Sequence, residues 1–325
     1  MNVMNTKPIV GALFALALSI CSGVSMQAQV SRGLPFLETP TDARAAAMGN
    51  VTLTKTDRNY LYTNPASIFN GDAKLTITAG GLMFKTPKSD MVAGNLMFGA
   101  ASLGYRFLDR HVIYAGFRYQ GGMKIKGSTN DQWGLSKKST SPFDWAVDMG
   151  YAFKFNKMFA AYATGSFIQS YTGRVAYAGA FSVGANCLIP ISAESDINVG
   201  ARVADFGAPF YYSAKEAYAL PTNAQVTLDY GLAMNNNHKL RAVVGGKYFF
   251  LPYRAQLLQA NVGVEYTLFN IASLRAGYQF GSKDTSLWSV GAGVALYGAK
   301  LDCGYMKSLN EFGADRFMLS LSFDY

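Results

Sequence analysis

From about residue 74 to its C-terminus, the chain alternates apolar with small or polar residues in stretches that each end at a turn signal. In the last stretch Phe317, Leu319, Leu321, Phe323 and Tyr325 occupy one parity; Arg316, Met318, Ser320, Ser322 and Asp324 occupy the other. The same pattern sets Trp288, Val290, Ala292 and Val294 against Ser289, Gly291 and Gly293. It recurs with Leu274, Ala276 and Tyr278 against Arg275, Gly277 and Gln279. A period of two places each set on one face of a strand. The polar parity is mostly Gly, Ser, Thr and Asn, where a soluble sandwich would turn a charge-rich face to water. The stretches outrun the usual strand of roughly 5–6 residues and suit a tilted membrane span of about 9–11. Strands cross a bilayer only when every edge is paired, so the sheet must close on itself.

The spacing predicts an all-β fold, a transmembrane antiparallel barrel of about fourteen strands over residues 74–325. The strands are expected at 74–85, 91–106, 111–126, 143–156, 158–170, 174–189, 196–206, 222–234, 239–250, 256–269, 271–280, 287–297, 300–307 and 316–325. The even-numbered connections are short, apart from a moderate sixth from Pro190 to Ser195, and several odd ones are long. Barrels of the bacterial outer membrane have short periplasmic turns and long outer loops, so both termini are expected in the periplasm.

The first 28 residues read as a cleaved export signal, with Lys7 as the lone charge, an apolar run from Pro8 to Ile20, and cleavage sites after Ser25 or Ala28. Cys21 follows Ile20, where a lipidated cysteine would need a small residue, so ordinary cleavage is expected. Residues 29–73 do not alternate. Two helical signals stand there: Asp42 capping Ala43 to Ala47 with Gly49 as a stop, and Asn64-Pro65 opening a helix toward Phe69. The apolar Leu34, Phe36, Leu61 and Phe69 favour a plug tucked inside the barrel over a loose extension.

Composition narrows the function classes. Half of the 325 residues are hydrophobic, 14% are aromatic and 15% charged, which excludes a disordered chain and is low in charge for a soluble one. The net charge of +9 is spread along the chain and suits anionic lipid headgroups or a balanced lumen better than nucleic acid. Cys187 and Cys303 lie in separate strands with no metal spacing. His111 and His238 sit beside turns with no nucleophile at a familiar spacing, and Gly291 and Gly293 lie within a strand, not at a dinucleotide loop. No catalytic, metal or cofactor site is expected.

The run from Ala43 to Gly49, then Asp57, then Asn64-Pro65-Ala66, resembles the N-terminal pattern of the PorV/PorQ proteins of the Bacteroidetes, which are related to the FadL-type barrels. Phe206-Gly207-Ala208-Pro209 with Leu220-Pro221-Thr222-Asn223, and the strands around Val262, Leu274 and Gly291, extend the likeness over the mature chain. The resemblance implies a fourteen-stranded FadL-like barrel with an N-terminal hatch. It also implies a non-enzymatic accessory role in type IX protein secretion or outer-membrane assembly. Passive transport of hydrophobic small molecules is the alternative, and a general porin a third reading that the plug opposes. Expected partners are outer-membrane lipids, the barrel-insertion machinery and other outer-membrane or periplasmic proteins.

Three groups of residues carry these expectations. Phe206, Pro209, Phe210, Tyr211 and Tyr212, with Tyr218 and Leu220, would form an outer loop that either grips a partner or touches headgroups. Arg44, Asn64, Pro65, Asp229, Glu265 and Arg275 would line plug and lumen, with Arg241, Lys247, Asp302 and Asp324 on the same side. These ions would serve as a polar conduit, a plug latch or a rigid salt-bridged lumen. Phe323 and Tyr325 would be read as the insertion signal.

Overall fold

In the computed structural model of the chain, the described residues are 33–325 except 57, 86–91, 127–138, 214–215, 253–255, 282–284 and 311–312. The expected export signal, residues 1–28, lies outside them. Fourteen antiparallel strands close into a barrel. They are β1 Leu75–Lys85, β2 Met97–Phe107, β3 His111–Gly121, β4 Phe143–Lys154, β5 Phe159–Tyr171, β6 Val175–Pro190 and β7 Ser195–Phe206. The ring continues with β8 Asn223–Asn235, β9 His238–Phe249, β10 Leu257–Leu268, β11 Ala272–Phe280, β12 Leu287–Leu296, β13 Ala299–Ser308 and β14 Asp315–Asp324. Each strand pairs with its sequence neighbours, and β14 closes on β1 from Thr76↔Asp324 to Lys85↔Asp315.

The expected parity appears on every late strand. Phe317, Leu319, Leu321 and Phe323 are exposed outside while Met318, Ser320 and Ser322 are buried inside. Two expected strands, 91–106 and 111–126, run too long. Val92–Ala93 and Lys124–Ile125 form a separate ribbon beyond the wall. Gly94 at φ 81 and Gly122 at φ 97 turn the chain away from the barrel there, a backbone state that costs glycine little.

Aromatic rings gather outside at two heights. At the short-turn end, His111 stacks on Phe107 at 5.3 Å and shares a hydrogen bond with the Tyr151 hydroxyl at 2.7 Å, while Phe155 packs on Phe153. His238 sits likewise against Tyr266 and Phe269. At the loop end Trp145 packs between Phe117 and Phe167, and Trp288 meets Tyr305. From Phe143 to Phe153 the strand advances ten residues. That is roughly 33 Å of strand, or about 25 Å along the normal after a tilt near 40°, the height of a membrane barrel's apolar band.

The described residues between 33 and 70 fill the lumen. Helix α1, Ala43–Ala47, is capped by Asp42, whose carboxylate accepts the Ala45 N–H at 3.1 Å. The helix expected over residues 64–69 is not formed as one piece. A helical turn α2, Tyr60–Thr63, precedes Asn64, and a 3₁₀ turn, Ser67–Asn70, follows it. Asn64 adopts an extended backbone between them and its side chain accepts the Ala66 N–H, so it caps locally without starting an α-helix. A further 3₁₀ turn, Pro35–Glu38, carries Phe36 into an apolar cluster with Leu82, Phe98, Phe210, Leu287 and Met306.

The inside-out parity has a direct test. Leu319 lies between the two girdles on the outer face. Leu319→Arg should cost about 2–4 kcal/mol of folding stability in liposomes titrated with urea. A lumen change such as Ser320→Thr should cost far less.

Candidate functional site

The lumen is a wall of small residues into which the plug is keyed. Four glycines on adjacent strands, Gly263, Gly277, Gly291 and Gly304, face α1 and the turn after it. A Cβ added at Gly263 would stand 2.7 Å from the Met48 Cβ, and one at Gly304 would stand 2.9 Å from the Ala43 carbonyl oxygen. Gly49, at φ 72, lies as closely against the Tyr278 and Val262 carbonyls of β11 and β10. The alanine helix thus rests backbone to backbone on the wall. Ser289 ties it down by donating to the Ala47 carbonyl and accepting from the Gly49 N–H, both at 2.9 Å.

Buried charges run through this seat as a chain. Arg44, fully buried, holds Glu265 through two bonds of 2.9 and 3.0 Å and also donates to Thr54 and Thr56. Arg275 bridges Glu265 and Asp302, each at 2.6 Å. Arg58 of the plug pairs with the other Asp302 oxygen at 3.5 Å. Burial, and then the nearby Asp302 carboxylate, push the Asp42 carboxyl above its usual range. A second cluster joins Asp229 to Arg241 at 2.6 Å and to the Lys55 N–H at 2.7 Å, while the Lys55 ammonium meets Asp196. Lys300 pairs with Asp324, which also accepts from the Tyr60 hydroxyl.

The Asn64 amide donates to the Thr54 carbonyl at 2.8 Å and to Asn186 at 3.0 Å, and Asn186 passes the chain on to Asn198. The Pro65 carbonyl accepts from the Tyr114 hydroxyl at 2.7 Å. The structure therefore brings together Arg44, Glu265 and Arg275 in one network. It sets Asn64 and Pro65 against the opposite wall, and Asp229 in its own cluster.

Sequence reading missed the Arg118–Asp148 pair. These two are bound at 2.6 Å, with the Tyr62 hydroxyl donating to Asp148 at 2.9 Å and its ring 4.9 Å from the guanidinium. Burial, then the Asp148 charge, push the Tyr62 phenol well above its usual range, so it remains a donor. Strand parity was the signal that could have placed Arg118 inside, on the face opposite Phe117 and Tyr119. That it faces Asp148 needed the register between β3 and β4.

The aromatic loop divides. Phe206 meets Phe181 at 6.2 Å on the outer wall, in the girdle. Phe210 turns inward and is 2% exposed; it stacks on Tyr218 and meets Tyr212 edge-on over the plug, and Tyr212 bonds Ser170 at 2.6 Å. Pro209 is exposed, as is Tyr211 at 54%. A loop that reads as outward aromatics thus spends Phe210, Tyr212 and Leu220 on closing the barrel mouth, because the apolar roof of the plug gives them a surface to bury against. Phe323 and Tyr325 stand outside at the short-turn rim.

Above the plug, at the loop end, a cavity of about 290 Å³ opens among Phe84, Leu96, Leu287, Met306, Gln120, Gln259, Gln279, Lys247 and Arg316. It adjoins, through Glu38, Thr39, Asn50 and Lys247, a smaller polar cavity of about 80 Å³ that contains Arg118, Asp148, Arg202 and Asp205. A hollow of about 430 Å³ between Lys55, Arg58, Ile68, Lys300 and Tyr325 lies on the short-turn side. A separate apolar hollow of about 730 Å³, around Ala242, Gly246, Ala260 and Ala276, is on the outer, lipid-facing wall of β8 to β11. Among the described residues, no group of His, Cys, Asp and Glu could hold a metal ion, and Cys187 and Cys303 are unpaired thiols.

Buried arginine–carboxylate chains lose most when one partner is removed. Glu265→Gln should lower stability by about 3–5 kcal/mol and expose residues 33–74 to limited proteolysis while the barrel stays protected. Gly277→Val should displace the Met48–Gly49 turn and give a steady ionic leak in planar bilayers that the native chain lacks.

No protein-family model matches the sequence, and no curated protein does. Solved structures share the fold. The toluene transporter TbuX of Ralstonia pickettii superposes with a TM-score of 0.62 at 12% identity, covering 87% of this chain and 98% of its own. The toluene transporter TodX of P. putida gives 0.61 at 12%, with coverage of 87% and 98%. A FadL homologue of Pseudomonas aeruginosa gives 0.55 at 13%, with coverage of 88% and 99%. The chain has the FadL-like fold: a closed fourteen-stranded antiparallel barrel with few helices.

Proposed function

We propose that this protein is a passive channel of the outer membrane that admits small hydrophobic molecules, with the cavity above the plug as its entrance. The observation that carries the reading is that cavity. It opens at the loop end, has an apolar wall of Phe84, Leu96, Leu287 and Met306, and is floored by a plug held by polar bonds. Most of the rest of its lining is polar, with Glu38, Asn50, Gln120, Gln259, Gln279 and Arg316, so an apolar side can hold a small solute while polar groups around it orient it. The shared fold with two toluene transporters and a FadL homologue supports the same reading. The short-turn rim, where Leu75 and Tyr325 meet, would face the periplasm, and the loop end the outside.

The route past the plug is polar and closed, so passage requires the plug to shift. Its attachments are hydrogen bonds and ion pairs that re-form one at a time in water, more readily than a packed apolar core gives way.

The accessory role in type IX secretion or barrel assembly, and the PorV/PorQ subfamily in which it is known, rest on the sequence resemblance. The loop that would offer the partner surface keeps only Pro209 and Tyr211 exposed among its five expected contacts beyond the girdle.

Initial uptake of radiolabelled toluene at limiting concentration should rise several-fold in cells whose lipopolysaccharide-bearing outer membrane carries the chain. An unchanged rate, together with recovery of the protein in mild detergent bound stoichiometrically to another outer-membrane protein, would replace the channel with the accessory role.

A further inference from the structure

The outer face of the barrel carries one arrangement twice at the short-turn end. His111 opens β3 and His238 opens β9, both on the outward parity. His111 pairs across the seam with Phe153 of β4, and His238 with Leu268 of β10. In each case the imidazole reaches diagonally to the tyrosine two residues before that partner. Nδ1 of His111 lies 2.7 Å from the Tyr151 hydroxyl, and Nδ1 of His238 lies 2.5 Å from the Tyr266 hydroxyl. The two seams are six strands apart in the ring of fourteen, so the pairs stand on nearly opposite sides of the barrel.

Rings flank both imidazoles, from different sources. Phe107 and Phe153 lie 5.3 and 4.9 Å from His111. His238 has Tyr266 at 5.9 Å, and its second ring is Phe269, 6.1 Å away in the turn after β10. Phe269 holds that place at φ 54, a left-handed backbone that asparagine or glycine adopts at less cost. A bulky ring kept in such a conformation points to a use for it.

With the tyrosine hydroxyl donating to Nδ1, a neutral imidazole carries its proton on Nε2. Among the described residues neither Nε2 has a hydrogen-bond partner, and neither is buried. Each pair thus offers an open N–H where the apolar band gives way to the headgroups of the leaflet on the short-turn side. Exposed Arg110 stands in the turn ahead of His111, with Asp109 beside it, and the exposed amides of Asn237 and Asn270 stand in the turns around His238.

We infer that the two His–Tyr pairs are binding sites for the phosphate of a glycerophospholipid in that leaflet. Nε2 donates to a phosphate oxygen, the tyrosine fixes the orientation and tautomer of the ring, and the flanking rings pack on the glycerol and the first methylenes. The charged phosphate is a stronger acceptor than the ester carbonyls below it. The inference needs only the membrane-spanning barrel and does not depend on what passes through the lumen.

The test uses the full chain in neutral maltoside micelles, doped with phosphatidylglycerol or with the diacylglycerol of the same chains, and counts the lipids retained per chain by native mass spectrometry. The native protein should retain two phosphatidylglycerol molecules at collision energies that strip the rest, and bind them about tenfold or more tightly than the diacylglycerol. His111→Phe and His238→Phe, which keep a ring, should each remove one, and the double variant both. Tyr151→Phe and Tyr266→Phe should weaken one site each by about two- to tenfold. Excess inorganic phosphate should displace neither lipid. The heat-dependent gel migration of an intact barrel checks that each variant is folded. Equal retention of the diacylglycerol, or two phospholipids held by the folded double variant, overturns the inference. Displacement of both lipids by inorganic phosphate overturns the lipid as the occupant. Each of these results leaves the channel reading untouched, and a failure of toluene uptake leaves these sites standing.

Discussion

Closure of the sheet is the constraint from which the rest of this structure follows. In hydrocarbon an unpaired peptide group costs several kcal/mol, so β1 must find β14 and no edge can remain. Once the ring is closed, parity is locked. A one-residue slip at any seam would turn every side chain of a strand to the wrong side. The register is continuous at most seams, and the β6–β7 seam shifts only near the loop end, between Phe181 and Val183. There Asp205, at φ 55, bulges and its N–H is taken by the Ser182 hydroxyl. The irregularity is placed where the strand leaves the apolar band.

A locked parity leaves an interior that must be filled. Fourteen strands enclose more volume than their own inward side chains occupy here, since many of these are Gly, Ser, Thr and Asn. The plug supplies the missing atoms, and small wall residues are the condition for its fit. Larger inward residues would fill the lumen and expel α1; the glycines at 263, 277, 291 and 304 let its backbone approach. Close approach brings backbone carbonyls and N–H groups of the plug to the wall without water, so each needs a partner. Ser289, Ser320, Asn198 and Asn261 provide them. The polarity of the inner parity is therefore a requirement of the plug as much as of a conduit.

Much of this was legible in the sequence, for a physical reason. Alternation is a local property, so the fourteen strands and the inward side of Asp229, Glu265, Arg275 and Asp302 could be read residue by residue. Helix α1 was legible because Asp42, the alanines and Gly49 each act within one turn. Whatever depends on a distant partner was not. Arg118 and Asp148 lie on known faces, yet their meeting depends on the register across a seam. Phe210 and Tyr212 follow no alternation that fixes a side, and their inward turn depends on an apolar roof built by Phe36 and Leu34 far earlier in the chain. The helix expected from Asn64 failed for the same reason. Its amide is committed to Thr54 and Asn186, and that commitment holds the backbone extended.

On the channel reading proposed above, the ion chain would let a lumen that is closed in this structure open. An apolar plug of the same size would gain burial energy at every contact and would come away only as a whole. Here the attachments are concentrated in pairs such as Arg44–Glu265 and Arg241–Asp229, with the polar cavity beside Arg118 and Lys247 already next to the entrance. Once water from that cavity reaches a pair, the rising local dielectric weakens its attraction several-fold while hydration compensates each separated charge. The energy of the separated state thus falls as separation begins, so release of the plug on that reading would be stepwise. Both ends of the plug also carry apolar anchors: Leu34 and Phe36 pack under Phe210 on the loop side, and Leu61, Ile68 and Phe69 pack against Val112 and Tyr114 on the short-turn side, beside the hollow among Lys55, Arg58 and Lys300.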